Sequence, residues 1–409
     1  MTIEHTTQPP ADPAQSESAG SASNQDRHQD RSQREAELVA APFAVVHVDS
    51  SGIHPSTARM VALTIVLLSP TGDVVETFYQ VFDSESDIGP QHLHGLTPAD
   101  IADQPSFGKT LRQVNGLLDG RTLIMHNMPR TWGFVYAESK LALRNAQKRA
   151  RNRTRNRRGR RRVGRVARPA LLVDTLASAR RAGLPLTDSR VRAVATELGV
   201  SELSAVASVE RAQRPAQEVS VETAQLIGKI FFRLREHAAE YQPNNLKADR
   251  FGLQRSITRV EAMDTPSAFE NPGVYEPGTR LVQGMEFVVS PDIEMDPDSV
   301  IAAGVAKGLS YGEKVTRQSS VVVCNMTSIL RGKAMHADRK HIPLIDDATF
   351  LELLADVAPG VSVTKQAAPT RTASPVTVQK PKPRGRRRSS RSNKPNRAGQ
   401  TNRAPQQEA

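Results

Sequence analysis

The sequence predicts an α/β protein in which a mixed five-stranded sheet with helices is followed by a smaller α/β unit. Three observations carry this prediction. Apolar runs begin at Phe43, Met60 and Val74, the last two joined by the turn chemistry of Ser69 to Asp73. Short apolar runs then alternate with helical periodicities up to about residue 242. A second alternation of the same kind occupies residues 280–360.

Residues 1–40 combine Gln, Ser, Ala, Pro and charged residues without periodicity, which predicts disorder. Order begins at Phe43 with FAVVHVD, followed by MVALTIVLL from Met60 and VVETFYQVF from Val74, three strands of which the second and third form a hairpin. Thr97 suits the N-cap of the short helix PADIAD, and SFGKTLRQVNGLL from Ser106 has apolar residues at helical spacing. TLIMHN from Thr122 reads as a fourth strand, followed by a helix from about Arg130 that runs into an arginine tract. LLVDTL from Leu171 is a fifth strand, and the stretches from Ser189 and Val221 supply further amphipathic helices, closing a unit over 41–242 with a basic insertion at 144–168. Residues 243–279, with FENPGVYEPG, read as a linker. From 280 to 360 the order is strand, helix, strand (KVT, from Lys314), strand, helix, strand, helix, which suits a small parallel sheet. Residues 361–409 are too rich in Pro, Arg and Ser to pack and read as a disordered basic tail.

Charge points to a partner. The net charge is +12, yet residues 144–168 carry 13 Lys/Arg and no acid, and 365–409 carry 12 Lys/Arg against Glu408 alone, so the remainder of the chain is net negative by 12. Concentrated arginine neutralises phosphates by releasing counterions, largely without reading sequence, so the expected partner is DNA or RNA. The candidate contacts are Arg149, Arg151, Arg153, Arg155, Arg157, Arg158, Arg160, Arg161 and Arg162 in the insertion and Arg386, Arg387 and Arg388 in the tail. The single cysteine, Cys324, excludes an internal disulfide framework and a cysteine-built zinc site. No apolar run reaches the ~20 residues that cross a bilayer, and the N-terminus lacks a basic-then-apolar leader, which predicts a protein without a membrane partner, retained in a reducing cytoplasm.

Five landmarks in the first unit give it a resemblance. Val48-Asp49-Ser50-Ser51-Gly52, Leu93-His94-Gly95-Leu96-Thr97, His126-Asn127, Val173-Asp174-Thr175-Leu176 and the helix around Glu222-Thr223-Ala224 resemble, in order and spacing, the DEDDh 3′–5′ exonucleases of the DNA polymerase III epsilon-subunit-like family, found in bacterial proteins of this kind. The resemblance implies a ribonuclease-H-like fold and hydrolysis by two divalent ions held by four carboxylates, with a histidine as general base. It places the first aspartate on His47, the glutamate on Asp49, the second aspartate on Thr131, the histidine on Arg214 and the last aspartate on Val219, with Glu218 adjacent. One carboxylate of four is kept in place. Such a set has too little negative charge for paired magnesium. Three alternatives follow for the remnant: Asp49 and Glu218 hold a single metal, His47 and Asp49 ligate a softer ion, or His47 simply packs at a strand end.

The second unit resembles a BRCT domain, on Gly284 to Ser290, Ala306-Lys307-Gly308, Ser319 to Asn325, Gly332-Lys333-Ala334 and Phe350. The resemblance implies a phosphate held by Ser290 and Lys333, although Pro291 stands where a backbone N–H is usual. It equally implies a domain that meets a protein partner.

Three functions remain open. The first is a catalytically degenerate, nucleic-acid-binding pseudo-exonuclease acting in DNA replication, repair or RNA handling, with no cofactor. The second is an active 3′–5′ exonuclease using magnesium or manganese. The third is a BRCT-based interaction scaffold.

Overall fold

The computed structural model describes residues 29, 31–153, 164–184, 186–206, 208–328 and 330–363 of the chain. The disorder expected over most of 1–40 and over the tail, and the centre of the arginine tract, lie outside these residues. Residues 31–40 correct the first expectation, because they form a helix, α1. Its sequence RSQREAELVA holds strong helix formers and an Arg31–Glu35 pair one turn apart. Arg34 ties it down by donating to the carbonyls of Gly116 and Asp119, both at 2.7 Å.

The first sheet follows from β1 (Phe43–Ser50), β2 (Met60–Leu68) and β3 (Val74–Val81), an antiparallel meander in which β2 is buried along its whole length. A capping box between Thr97 and Asp100 starts the single-turn helix α2 (Pro98–Ile101). Helix α3 (Phe107–Leu118) then buries Phe107, Leu111, Val114 and Leu118 on one face. Each such side chain contributes about 1.5–3 kcal/mol of burial. Next come β4 (Thr122–Met125) and α4 (Met128–Arg153), the long helix expected to enter the arginine tract. β5 (Leu171–Asp174) leads into α5 (Thr175–Arg181), α6 (Val191–Glu197), α7 (Val209–Gln213) and α8 (Ala216–Arg233).

A sixth strand, β6 (Ala239–Tyr241), runs antiparallel to β5, so the sheet has six strands rather than five, in the order β3-β2-β1-β4-β5-β6. It was missed because three residues at the end of a helical pattern carry no period of their own. β4 lies parallel to both β1 and β5. This is a mixed α/β sheet flanked by helices, as the sequence predicts.

Two cores sandwich the sheet. Ala44, Val46 and Val48 of β1 pack towards α3 and α4, whereas Phe43 and Val45 pack towards α8. Since alternate residues of a strand share a face, His47 and Asp49 point to the α8 side. Helix α8 lies close because of Gly228, where an added Cβ would meet Leu68 at 3.0 Å and Val45 at 3.4 Å.

The expected linker is folded. β7 (Leu246–Ala248) and β8 (Gln254–Ser256) form a hairpin, and Ser256 caps α9 (Ile257–Asp264). Tyr275 is buried in the second core, and its backbone N–H donates to Ser320 O at 2.9 Å. The Pro/Gly content that suggested a linker serves turns against that core.

The second sheet contains β9 (Glu286–Val289), β10 (Ser310–Tyr311), β11 (Ser319–Val323) and β12 (Leu344–Ile345), all parallel, in the order β10-β9-β11-β12. Helices α10 (Pro297–Ala306), α11 (Gly332–Asp338) and α12 (Asp347–Leu353) accompany it. The strand expected at Lys314 is instead placed at Ser310–Tyr311, where Tyr311 reaches the core. Phe287 and Phe350 stack at 5.2 Å in its centre.

Candidate functional site

Asp49 is half-buried near the end of β1, facing α8, and its two carboxylate oxygens have separate partners. Oδ1 lies 3.4 Å from His47 Nε2, and Oδ2 accepts from the Ser220 hydroxyl at 2.8 Å. Ser220 shares a 2.8 Å hydrogen bond with Thr64 of β2, so strand and helix are linked through the carboxylate. Burial acts to raise the Asp49 pKa, but His47 by charge and hydrogen bond, Ser220 by hydrogen bond and His94 by charge outweigh it, and the carboxyl is held below its ordinary value.

Arg130, in the first turn of α4, donates to the Ser50 hydroxyl at 2.6 Å and lies over the Phe134 ring, 5.5 Å from its centroid. Burial lowers its pKa and the charge of Asp49 partly restores it, which makes Arg130 a cation in the electrostatic reach of Asp49. The loop between β1 and β2 is closed by the Ser51 N–H donating to Arg59 O, by the Arg59 N–H donating to the Ser51 hydroxyl, and by the Arg59–Glu138 ion pair at 2.6 Å. Gly89 passes so near that an added Cβ would lie 2.2 Å from Ser51 O, and its φ of +76° suits glycine.

The remaining motif positions have internal hydrogen-bond partners. Thr131 is buried and returns its hydroxyl to His126 O at 3.3 Å. His126 places Nε2 2.7 Å from Ser189 O and Nδ1 2.9 Å from the Thr175 hydroxyl, while burial pushes its pKa down. Asp174 accepts from the backbone N–H groups of Asn127 and Met128 and caps α5 through those of Leu176 and Ala177. His94 bonds Ile88 O at 2.9 Å and accepts from Leu96 N–H.

The last motif is where the sequence register needs correcting. Helix periodicity turns Ser220 to β1, and Val219 does not occupy that position. Glu218, two residues back, lies towards the other face, its side chain 59% exposed and paired with Arg214 at 3.7 Å. Glu218 and Asp49 therefore do not converge on one metal. Arg214 also binds Glu222 at 2.7 Å. Among the described residues no group of three or more His, Cys, Asp or Glu could hold a metal ion. The donor set around Asp49, one carboxylate beside an imidazole, a hydroxyl and a guanidinium, does not fit paired magnesium or manganese.

Of the basic candidates, Arg149 is exposed near the end of α4, beside Arg144 and Lys148, and Arg151 and Arg153 fall within the helix. Arg155, Arg157, Arg158, Arg160, Arg161, Arg162, Arg386, Arg387 and Arg388 lie outside the described residues. No helix among the described residues is long and apolar enough to cross a membrane.

In the second sheet, Ser290 and Lys333 do not present free donors to a phosphate. The Ser290 hydroxyl donates to Asp292, whose other oxygen accepts from the Cys324 thiol at 3.2 Å. Lys333 donates to Val289 O at 2.8 Å and lies 3.6 Å from Glu313; burial pushes its pKa down to about 8. Glu313 gathers Tyr311 at 2.6 Å, Arg255 at 3.0 Å and Arg259 at 3.9 Å. The expected phosphate ligands are thus spent on internal partners, and Glu313, which pairs with Lys333, also holds Arg255 of β8 and Arg259 of α9.

The features missed in the sequence were Ser220, Thr64 and Arg130. A signal for Ser220 was present in the helical spacing of Ser220, Thr223, Ala224 and Ile227, all buried in α8.

No protein-family model and no curated protein matches the chain. Solved structures that it resembles are exonucleases. "Exonuclease X in complex with 5′ overhanging duplex DNA" is 16% identical, with 46% of this chain and 91% of that chain covered and a TM-score of 0.29. A structure of exonuclease I is 13% identical with a TM-score of 0.32, and a zinc-bound E. coli ExoI–ssDNA complex is 12% identical with a TM-score of 0.32. Both cover 48% of this chain, which spans only 42% of each of them. The chemistry of the site rests on this chain's own residues.

Proposed function

We propose that this chain is a nucleic-acid-binding protein, a pseudo-exonuclease that holds DNA or RNA with little regard to sequence and does not cut it. The observation that carries the reading is the pairing of the Asp49 carboxylate with His47 and Ser220, with Arg130 close enough to feel its charge. A cleft with one engaged carboxylate and a resident cation cannot concentrate two divalent ions. Affinity comes instead from the basic segments, beginning with Arg144, Lys148 and Arg149 on α4. The basic tail gives a second attachment, which raises effective concentration on a bound strand. Residues 41–242 form the exonuclease-like domain in this reading, and the setting is replication, repair or RNA handling in a bacterial cytoplasm.

Residues 280–360 act as a BRCT-like module for a protein partner. The parallel four-stranded sheet with its helices supports that reading, and the internal use of Ser290 and Lys333 favours a protein surface over a phosphate.

The test is binding of labelled single-stranded DNA and RNA to the full chain across salt. The reading expects affinity to fall about a hundredfold or more between 50 and 200 mM salt. Glutamine at Arg149, Arg151, Arg153 and Arg155 together should weaken binding uniformly across sequences. Salt-insensitive binding, or none, overturns the reading.

A further inference from the structure

The last part of α4 leaves the body of the fold. Up to Leu143 the helix packs: an added Cβ on Gly108 of α3 would meet that of Ala142 at 3.4 Å, and Ala142 and Leu143 are half-buried against the first core. Gly164 lies beside the same turn, with Leu111 and Leu143 each 3.7 Å from where its Cβ would stand. The chain therefore departs from the body and rejoins it at one place. From Arg144 to Arg149 every residue is exposed, and the helix continues to Arg153. At about 1.5 Å per residue, this end of α4 projects by roughly 15 Å.

The second observation is the composition of the projection. Residues 144–153 are Arg, Lys, Asn, Gln and Ala only, with five cations and no acid. A solvated helix gains stability from acid–base pairs one turn apart, whereas Arg144 and Lys148 are like charges at that spacing. Neither they nor Arg149 makes an ion pair among the described residues. The projection thus carries a repulsion that an external polyanion relieves. Its shape selects among polyanions. Single strands lie in grooves where bases stack on aromatic rings, and this convex helix end has no aromatic residue. The deep, narrow major groove of an A-form RNA duplex excludes side chains. The major groove of B-DNA, about 12 Å wide, admits a bare helix.

We propose that the projecting end of α4, through Arg144, Asn145, Lys148 and Arg149, lies in the major groove of double-stranded DNA. The inference names the substrate class of the nucleic-acid reading proposed above and rests on that reading. At ~100° per residue, Arg144 and Lys148 fall to one side of Asn145 and Arg149 to the other. The flanking cations suit the two phosphate backbones, and an asparagine between them suits base edges. Arg130, bonded to Ser50 at the cleft, precedes Arg144 by about 20 Å of helix, so the duplex is held away from Asp49.

The experiment measures binding of the full chain to a short DNA duplex, to an RNA duplex of the same sequence and to one DNA strand alone, across salt. The wild type is compared with a variant carrying Arg144→Gln, Lys148→Gln and Arg149→Gln, three exposed positions given another good helix former. The variant should bind the DNA duplex at least about tenfold more weakly, with a salt slope lower by about 3, while its binding to the RNA duplex and the single strand changes by about twofold or less. A second readout needs no variant: guanine N7, which faces the major groove, should be protected from dimethyl sulfate in duplex saturated with the wild type. Equal losses on all three nucleic acids, an unchanged affinity for the DNA duplex, or N7 atoms that stay reactive in the bound duplex each overturn the inference and leave the nucleic-acid reading standing. If the wild type binds none of the three, that reading falls and the inference falls with it.

Discussion

Ser220 donates its hydroxyl to Asp49 Oδ2 at 2.8 Å and thereby joins helix α8 to strand β1. A polar link of this kind belongs to packing: the helix offers the strand a donor, and the carboxylate beneath it stays charged.

Replacing Ser220 with Ala removes one of the groups that lower the Asp49 pKa and leaves a buried oxygen without that partner. The expected cost is about 1–2 kcal/mol at neutral pH, read as a lower urea midpoint. Because the folded pKa of Asp49 lies below the ordinary 3.8, its stabilising contribution is complete above that value and disappears as pH falls through the folded pKa. The wild type and Ser220→Ala should therefore converge in stability in acid.

Ser220→Asp places a second carboxylate against Asp49. Like charges at that distance destabilise the fold and raise the pKa of one of the pair. Manganese should restore the lost melting temperature in the variant, because two carboxylates and His47 then surround one ion. The wild type should show no such shift in the same scan.

Glu313 is held well below the ordinary carboxylate range, at about 2: burial alone would raise it, and Lys333, Arg259 and Arg255 outweigh burial. Its contribution is full above about pH 4.5 and is lost as pH falls towards 2. Glu313→Gln leaves Lys333, Arg255 and Arg259 without their shared anion and should cost about 3 kcal/mol at pH 7. Denaturant titrations from pH 7 to pH 2 should show that difference shrinking below pH 4.5.

Gly304 of α10 rests on Phe287, whose ring an added Cβ would meet at 2.5 Å. Gly304→Val should destabilise the second sheet by about 1–3 kcal/mol, seen as a lower thermal midpoint.

The sequence made long, periodic features legible. The apolar runs at Phe43, Met60 and Val74 became the meander, and the spacing from Phe107 to Leu118 became α3 with its four buried positions. What it concealed were features without period. β6 has three residues, α1 rests on local pairs such as Arg31–Glu35, and residues 243–279 owe their order to contacts far away in the chain, such as Asn271 with Gln318 O at 2.6 Å. At the site, His47 and Asp49 could be placed on one face of β1 from their spacing alone. Ser220 could not be set opposite them, since a one-residue shift on a helix rotates a side chain by ~100° and the motif there had lost its acids.

With Asp49 engaged and Arg130 nearby, the chain is expected to bind a polynucleotide and leave it whole. The most direct measurement follows a single-stranded DNA, and an RNA of the same length, labelled at the 5′ end and bound to the full chain in magnesium and then manganese. Full-length strands, bound and unshortened, are expected after prolonged incubation. A ladder of products shortened one nucleotide at a time from the 3′ end, abolished by Asp49→Ala, would contradict it.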